Sequence, residues 1–344
     1  MRELRIGPLD AGQRLDKYLM RCFKEADKGF LYRMLRKKNI TRNGAKASGS
    51  EHLETGDVIQ VFFSEETFLK MQGDLREKDS PMVSVPRPVL SPGSILFEND
   101  HLLIVNKPAG LLSQKAAPGD DSLTDRIAAY VRAGGGPVSR GYTPSLANRL
   151  DRNTSGLVLA GKTLPGQQLL SYLLRSRRTE KYYSCLAKGS LPAPADSLLY
   201  WSKDEEKNRA DLSAEPREGA APVRLKAEAQ AHLEGGIDLL RVQLISGTSH
   251  QIRAQLAYLG HPILGDSKYG EAALNKAAAE YCGIPLRLQL LHSREVVFPQ
   301  SLEEEGLSES VKQVFREVSG RRFTAPYPLY FRQVIKALGG DYGQ

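Results

Sequence analysis

The first sixty residues carry the hydrophobic pattern of two short amphipathic helices followed by strands. Apolar residues at the i, i+3, i+4, i+7 and i+8 spacing of one helix face are Leu15, Tyr18, Leu19, Cys22 and Phe23, and a second set is Leu31, Met34 and Leu35. Asn43-Gly44 marks a turn after a short strand, and residues 58–62 are strand-like. The pattern predicts a small module of helices and strands over residues 1–64.

No helical or strand period continues through residues 65–94. This stretch mixes charged residues with Pro81, Pro86, Pro88 and Pro92, and closely spaced prolines stiffen a chain that has no hydrogen-bonded structure of its own. We therefore predict a linker over residues 65–94, a second and larger domain over 95–332, and a C-terminal tail over 333–344.

The sequence pattern of the larger domain predicts strands separated by helices. Asn99-Asp100 is a turn signal between two strands, and Ser122 begins a helix with a capping-box-like start. The predicted strands are residues 95–98, 102–107, 156–162, 181–188, 225–232, 237–245 and 286–298. We expect residues 204–222, which are rich in charge, alanine and proline, to form a surface loop. The fold class is α+β: a mixed, mainly antiparallel sheet with a small N-terminal α/β module.

Length and composition exclude several classes of protein. The chain has 344 residues, enough for two domains, and 41% of them are hydrophobic. No apolar run approaches the ~18 residues of a membrane span, and residues 1–12 lack the apolar core of a secretory signal. The cysteines, Cys22, Cys185 and Cys282, are too far apart for a Cys-based zinc site. We expect reduced thiols in a cytoplasmic protein without a membrane partner.

The positive charge is concentrated near the N-terminus. The whole chain carries a net charge of +8, and residues 1–64 hold 13 basic and 8 acidic residues. Residues 28–46 contain seven basic side chains and no acidic one: Lys28, Arg33, Arg36, Lys37, Lys38, Arg42 and Lys46. A solvated helix face normally interleaves its Lys and Arg with Glu, so this run favours a nucleic-acid face over a plain basic surface.

The segment from Asn148 to Gly156 is the sharpest candidate for chemistry. It places Asp151 between two guanidinium groups, those of Arg149 and Arg152, and nearby positive charge favours the ionised carboxylate. Asp151 would then be a nucleophile or a charge stabiliser rather than a proton donor. A structural Asp–Arg pair is an equal alternative on spacing alone. A phosphatase-like aspartate is disfavoured, because that chemistry needs a second carboxylate where Asn153 stands.

Two further clusters contain polar residues that could reach a site. In residues 246–253, Ser249 is a candidate N-cap, and Arg253 would lie one turn into the helix. His250 fits a hydrogen-bonding role at the helix start better than metal ligation, since no partner ligand stands at metal spacing. On the strand 181–188, alternation puts Tyr183 on the same face as Lys181 and Cys185, where a tyrosine is more often core than catalytic. No dinucleotide-binding glycine pattern or P-loop is present.

At these motifs the chain resembles the RluA-type pseudouridine synthases, over almost its whole length. Residues 148–156 resemble their His-Arg-Leu-Asp-Arg-x-Thr-Ser-Gly motif, and residues 247–253 their Gly-Arg-Thr-His-Gln-Ile-Arg motif. Residues 104–110, 181–189 and 260–266 are similar to three further family segments in family order. Residues 13–62 are similar to the S4 RNA-binding domain.

The resemblance implies a mechanism and assigns residues to it. Asp151 matches the catalytic aspartate, Arg253 the arginine that pairs with it, and Tyr183 the tyrosine that stacks on uracil and is suspected in proton removal from carbon 5. Arg149 matches the residue that enters the stack when the target base leaves. Residues assigned to RNA binding are Arg149, Arg152 and Lys107 in the motifs and Arg33, Arg36, Lys37, Lys38 and Arg42 in the basic run. No metal or cofactor is implied.

The expected function is isomerisation of uridines in structured RNA, most simply large-subunit ribosomal RNA, by a monomer. Asn148 and Thr248 depart from the family pattern, as does Ser249, and we expect these changes to tune packing around the site. A non-catalytic RNA-binding or ribosome-assembly factor is the main alternative. An RNA hydrolase is a third, and it differs in that isomerisation leaves the mass of the RNA unchanged.

Overall fold

A computed structural model describes residues 1–7, 10–72, 90–134, 142–189, 191, 194–206, 209–303 and 306–341. In these residues the chain forms one small and one large sheet, with helices against each. The predicted linker prolines Pro81, Pro86 and Pro88 lie outside the described residues.

The N-terminal unit is a four-stranded antiparallel sheet covered by helices. Its strands are β1 (Arg2–Arg5), β2 (Ile40–Arg42), β3 (Ala45–Lys46) and β4 (Val58–Val61), in the order β1-β4-β2-β3. Its helices are α1 (Leu15–Cys22), α2 (Lys28–Arg36) and α3 (Glu65–Gln72). The apolar faces predicted for the first two helices are buried, with Leu15, Leu19 and Leu31 at most 2% exposed. The sequence does not predict β1, because four residues with three charges show no apolar alternation.

The linker begins later than the sequence predicts. Residues 65–72 form α3, and Phe68 is 4% exposed in the core of the N-terminal unit, with its ring edge-on to Phe23 at 5.4 Å between centroids. Because Phe68 is the one buried residue of this helix, no hydrophobic period reveals the helix in the sequence.

The second unit contains an eleven-stranded sheet in the described residues. Nine strands follow the order β11-β10-β12-β13-β9-β14-β8-β6-β5, while β15 pairs with β14 and β7 with β8. The strands are β5 (Ile95–Glu98), β6 (Leu102–Lys107), β7 (Ser145–Leu146), β8 (Ser155–Gly161), β9 (Glu180–Lys188), β10 (Ala195–Asp204), β11 (Arg209–Ser213), β12 (Ala221–Leu233), β13 (Ile237–Leu244), β14 (Leu291–Val297) and β15 (Arg322–Thr324). Each pair is antiparallel except β8 with β14, which confirms the mainly antiparallel fold class.

Apolar layers cover both faces of the central strands. Along β6, Leu103 and Val105 face one cluster, while Leu102 and Ile104 face the opposite one, as the two-residue period of a strand requires. The sequences of β6 and β8 are therefore continuous apolar runs rather than alternating ones.

The helices of the second unit are α4 (Leu123–Ala133), α5 (Leu164–Arg175), α6 (Gln251–Tyr258), α7 (Ala272–Cys282), α8 (Glu309–Arg316) and α9 (Leu329–Ala337). Ser122 is the N-cap of α4, as predicted.

Two predicted irregular segments are structured. Residues 333–344 are not simply a tail, since α9 continues to Ala337 and buries Val334 and Ile335 in the core. The predicted loop 204–222 contains strand β11, which pairs with β10 over five residues at the edge of the sheet. An edge strand has one unpaired side and few core contacts, so its sequence is free to be polar.

Candidate active site

Asp151 lies on the loop between β7 and β8, and hydrogen bonds fix that loop on both sides of it. The Ser113 hydroxyl donates to the carbonyl oxygen of Leu150 at 2.7 Å, and the Gln289 amide donates to Thr154 Oγ1 at 2.7 Å. The loop ends at Gly156, whose φ is +111° and where a Cβ would collide with the backbone of Ser293 on β14. Glycine is therefore required, and the Asp151 side chain is left 27% exposed.

The partner of Asp151 is Arg253 on α6. Arg253 Nη1 donates to Asp151 Oδ2 at 2.8 Å, while its Nε and Nη2 donate to the two oxygens of Asp266 at 2.6 and 2.9 Å. Burial by itself lowers the pKa of Arg253, but the bonds to Asp266 and the charge of Asp151 outweigh it and raise that pKa above the usual value. One guanidinium, 8% exposed, thus holds two carboxylates in place.

Asp266 is the residue of this trio that sequence reasoning missed. Burial raises the pKa of its carboxyl group, but the hydrogen bonds and charge of Arg253 lower it further, so the net shift is downward. Its Oδ1 also accepts from the backbone N–H groups of Lys268 and Tyr269, at 2.8 and 3.0 Å. The segment 260–266 carries part of the family resemblance, yet no local pattern shows that its aspartate meets Arg253.

His250, and not Ser249, is the N-cap residue of α6. Its φ is +58°, and it makes no side-chain capping bond. Its Nδ1 lies 3.0 Å from the Tyr269 hydroxyl and its Nε2 lies 4.0 Å from Asp151 Oδ2. Burial lowers the pKa of His250, and Asp151 acts in the opposite direction. The left-handed backbone turns the imidazole toward the carboxylate instead of toward the helix amides.

Tyr183 approaches the same place from β9. It is 6% exposed, and burial raises the pKa of its phenol to about 12, while a hydrogen bond from Ser293 acts in the opposite direction. Tyr182 faces the other side of the sheet, where the Arg241 guanidinium lies 3.6 Å from its ring centroid. The predicted alternation along this strand is therefore found, and Tyr183 is the tyrosine that faces Asp151.

These residues surround a cavity of about 620 Å³. Its lining comes from residues 112–115, the Asp151 loop, the end of α5 with the turn after it, the start of β9, residues 244–253, and Leu291 on β14. The volume is that of a site for a small organic molecule or a nucleoside. A carboxylate, its arginine, a histidine and a tyrosine ring therefore meet in a pocket that is open to the outside.

Comparison with known proteins gives the family. The family described as RNA pseudouridylate synthase matches residues 101–258. A "Ribosomal large subunit pseudouridine synthase C" of Vibrio cholerae is 30% identical over 301 residues, covering 86% of this chain and 88% of that protein. This chain belongs to the RluA-type RNA pseudouridine synthases. It is thus an enzyme that isomerises uridine in RNA to pseudouridine.

Other relatives agree with this family. The protein of the same name from Escherichia coli K12 is 29% identical to this synthase over 296 residues, covering 84% of this chain and 86% of that protein. The solved structure titled "Human RNA Pseudouridylate Synthase Domain Containing 4" has a TM-score of 0.55 at 18% identity, covering 72% of this chain and 93% of that one. That structure supports the fold alone.

The arginines beside Asp151 in the sequence do not hold it in this synthase. Arg149 Nη1 donates to Gln114 Oε1 at 3.3 Å, and Arg152 Nε donates to the carbonyl oxygen of Gly110 at 3.1 Å. Both are exposed and line the cavity. Among the described residues, the cation that pairs with Asp151 is Arg253 on α6, which is distant in sequence, while the neighbouring Arg152 lies in a turn closed by the Thr154 amide and the Asp151 carbonyl oxygen.

Lys107 is misplaced in the predicted RNA-binding set. It has no exposed surface, and its ammonium group donates to the carbonyl oxygens of Pro108, Leu111 and Arg152 at 2.8 to 3.0 Å. Burial lowers the pKa of Lys107 to about 7, and Asp151 acts in the opposite direction. Its three bonds join the segment after β6 to the Asp151 loop at Arg152, so the buried Lys107 is a structural residue that cannot reach RNA.

The basic run divides into free and paired residues. Arg33, Arg36, Lys37 and Lys38 are exposed on α2 and just after it. Arg42 instead forms an ion pair with Asp57 at 2.7 Å, and its side chain is 21% exposed. Arg42 is therefore a poor candidate for RNA contact, because the pair would have to be broken first.

Among the residues that differ from the family pattern, Asn148 has a clear structural role. Its amide group donates to the carbonyl oxygen of Leu157 at 3.3 Å, and its Oδ1 accepts from the Leu159 amide at 2.7 Å. It thus ties the Asp151 loop to β8, as expected of a packing role.

Within the described residues, no cluster of three or more His, Cys, Asp or Glu is arranged to hold a metal ion, and no helix could cross a membrane.

Proposed function

We propose that this synthase converts uridines of large-subunit ribosomal RNA to pseudouridine with Asp151 as its catalytic residue. The observation that carries the proposal is the 2.8 Å contact between Asp151 and Arg253 at a cavity of nucleoside size. The choice of RNA rests on the printed names of the relatives from Vibrio cholerae and Escherichia coli. Arg253 binds Oδ2 of Asp151, which leaves Oδ1 to meet the substrate.

The reaction is an isomerisation in which no atom is gained or lost. The bond between C1′ of the ribose and N1 of uracil breaks, a bond between C1′ and carbon 5 forms, and the hydrogen of carbon 5 is lost as N1 gains one. In our proposal the anionic Asp151 attacks C1′ as the bond from C1′ to N1 breaks, and the bond from Asp151 to C1′ breaks in turn when carbon 5 attacks C1′. The guanidinium of Arg253, fixed by Asp266, keeps the carboxylate charged and aimed.

We assign Tyr183 to stacking on the uracil. With its pKa raised to about 12 by burial, the phenol is neutral at physiological pH and presents an aromatic surface. Removal of the proton from carbon 5 by Tyr183 would require the phenolate, which is scarce at that pH. Stacking is therefore the role that this environment supports better.

The target base must leave its RNA stack to reach Asp151. Enzymes that act on a base within a structured nucleic acid extrude it into a pocket and pay a few kcal/mol for unstacking. Arg149 is exposed at the mouth of the cavity, and its hydrogen bond to the neutral Gln114 is long, at 3.3 Å. We propose that Arg149 fills the place that the base vacates.

The N-terminal unit would hold the RNA by its phosphates. Besides Lys28, which lies over the ring of Tyr32, the exposed cations on α2 and just after it are Arg33, Arg36, Lys37 and Lys38. Phosphate contacts fix register and orientation without reading sequence. The resemblance of residues 13–62 to the S4 RNA-binding domain supports this proposed role.

The decisive variant is Asp151→Asn. We expect it to form no pseudouridine in unmodified ribosomal RNA, while its melting temperature and RNA affinity stay near those of the wild type. Asp196→Asn, which removes an exposed carboxylate from β10, is the matched control and should retain activity. Pseudouridine is measured by chemical labelling and primer extension, and turnover by Asp151→Asn would overturn the assignment.

The RNA target is tested in cells that lack the gene. We expect one or more pseudouridines to disappear from large-subunit ribosomal RNA and to return with the wild-type gene but not with Asp151→Asn. Loss from transfer RNA instead would correct the substrate. A complete set of pseudouridines would favour the non-catalytic assembly factor.

A further inference from the structure

Besides Arg149 and Arg152, two cations of the active-site cavity have no anionic partner in the described part of the chain. They are Arg177, in the turn after α5, and Lys181, near the start of β9. By contrast, Lys115 pairs with Asp125 at 3.3 Å, and Arg253 pairs with two carboxylates. No ion pair or side-chain hydrogen bond involving Arg177 or Lys181 is found among the described residues.

The position of Lys181 makes its unpaired charge costly. Its side chain is partly buried, and burial lowers the pKa of its ammonium group, with the charge of Arg177 acting in the same direction. Removing a cation from water costs free energy unless an anion pairs with it. In the described residues, two side-chain nitrogen or oxygen atoms are fully buried without a hydrogen-bond partner, one in Arg42 and one in Thr179. Lys181 Nζ also has no such partner but is not among them, so this atom keeps some exposed surface. The group is therefore reachable from outside.

The ammonium group lies at the cavity wall formed by Gly247. A Cβ added to Gly247 would stand 3.6 Å from Lys181 Nζ, so the glycine leaves the space in front of the nitrogen open. Arg177 lies beside it with φ +55° and is exposed. A left-handed conformation is uncommon for a residue other than glycine, and here it occurs in the turn that brings the arginine to the cavity.

The separation of Lys181 from Tyr183 along β9 indicates which part of the RNA would lie near Lys181 and Arg177. Lys181 and Tyr183 are two residues apart on one face of the strand, a separation of about 6.6 Å at the rise of a β-strand. Uracil stacked on Tyr183 would bring its sugar-phosphate backbone to the neighbourhood of Lys181. Nucleic acid offers one anionic phosphate per nucleotide, and Lys and Arg are the side chains that bind it.

We infer that Lys181 and Arg177 together bind a backbone phosphate of RNA beside the uridine that enters the cavity. The inference rests on the proposed function for the position of that uridine. It identifies a phosphate site within the catalytic unit, separate from the exposed cations of α2. The phosphate would supply the anion that this part of the cavity lacks.

The test is the salt dependence of binding to unmodified large-subunit ribosomal RNA made by transcription. The variant Arg177→Gln/Lys181→Met removes both charges and keeps most of each side-chain stem. We expect the slope of log Kd against log salt to fall by about 0.7, the value for one phosphate of a single strand. In steady-state assays we expect KM for RNA to rise about tenfold with a smaller change in kcat.

Two controls make the test specific. Arg175→Gln/Lys336→Gln removes two exposed charges that do not line the cavity, and we expect the wild-type slope. Arg177→Lys/Lys181→Arg keeps both charges and should restore slope and KM. Melting temperatures show whether each variant is folded.

The outcomes separate this inference from the proposed function. A wild-type slope in the folded Arg177→Gln/Lys181→Met variant overturns the phosphate site, whether or not the wild type makes pseudouridine. An equal fall in the Arg175→Gln/Lys336→Gln variant overturns it as well, since the effect would then be general electrostatics. A specific fall in slope with a wild-type protein that makes no pseudouridine supports the phosphate site and refutes the proposed function.

Discussion

Among single residues, one buried guanidinium organises the site. Arg253 bridges Asp151 and Asp266, so the partly exposed carboxylate of Asp151 and a fully buried one share a cation. Breaking a buried ion pair by removing one partner costs about 3 to 5 kcal/mol. Asp266 is therefore expected to govern both the stability of α6 and the position of the Asp151 side chain.

A hydrogen-bond chain also favours one tautomer of His250. The Tyr269 oxygen accepts from the backbone amide of Ala210 at 2.7 Å, so its own hydrogen is available to His250 Nδ1 at 3.0 Å. With this arrangement the neutral imidazole carries its hydrogen on Nε2, the atom that lies 4.0 Å from Asp151 Oδ2. We therefore expect His250 to present an N–H group on the side of the Asp151 carboxylate.

We expect Tyr269→Phe to lower kcat by roughly fivefold to tenfold with little change in KM, because one hydrogen bond contributes about 1 kcal/mol. The nitrogen chemical shifts of His250, measured by NMR, should move from a single Nε2–H form toward a mixture. Tyr258→Phe, at an exposed tyrosine on α6, is the control. Unchanged shifts in Tyr269→Phe would show that the hydroxyl does not fix the tautomer.

Among the helices and strands, polar edge structures support the site. Strand β11, within the predicted loop, supplies the Ala210 amide to Tyr269, and its Arg209 guanidinium lies 4.8 Å from the Tyr269 ring centroid. On the neighbouring β10, the Trp201 indole N–H donates to the carbonyl oxygen of Ser249 at 3.2 Å. The β10–β11 hairpin thus braces the His250 turn from outside the core.

Helix α2 gives the prediction for the N-terminal unit. We expect Arg36→Ala/Lys37→Ala/Lys38→Ala to lower the slope of log Kd against log salt by about 0.7 to 0.9 for each phosphate that the variant no longer binds. The rate at saturating RNA should stay near the wild-type value, because these side chains are remote in sequence from the Asp151 loop.

The control for α2 removes three exposed lysines of the catalytic unit, Lys226, Lys276 and Lys336, by substitution with alanine. Its slope should match that of the wild type. If both triple variants lower the slope equally, α2 has no special part in binding, and its charges act only through the net charge of the protein.

Across the whole molecule, the large sheet is fastened by buried polar groups as well as by its two apolar layers. His292 on β14 is fully buried, with Nδ1 2.8 Å from the Ser155 hydroxyl and Nε2 3.2 Å from the Ala325 carbonyl oxygen. Burial lowers its pKa to about 4, with the Ala325 contact acting in the opposite direction and Arg294 in the same one. The imidazole is neutral in the folded protein and joins β14 to both β8 and the segment after β15.

This predicts a loss of stability in mild acid. Between about pH 6.5 and pH 4 the unfolded chain binds a proton at His292 that the folded chain does not, so the free energy of unfolding falls as pH falls. At pH 5 the loss from this residue is about 2 kcal/mol. Urea denaturation at pH 7 and pH 5 should show this loss in the wild type but not in His292→Gln. Equal losses in both proteins would contradict the prediction.

Local sequence patterns account for the first two helices, for the central strands and for the family. Periodicity predicts α1, α2 and the central strands, because buried faces impose their spacing on the residues that fill them. The motifs around Asp151, Tyr183 and Arg253 indicate the family because their residue types and order match those of its members. Other elements are not predicted. In β1, α3 and β11 a polar edge or a single buried phenylalanine leaves no period. The strand β10 and the helices α5, α7, α8 and α9 are not predicted either.

Which charges meet depends instead on how distant segments pack. Asp151 and Arg253 are 102 residues apart, and Asp266 joins them through contacts that no local pattern encodes. The same holds for the lysines: Lys107 is sealed behind the site loop, whereas Lys181 opens into the cavity. The type of a side chain sets what it can do, but its partners and its access to water are set by contacts between segments that are far apart in the chain.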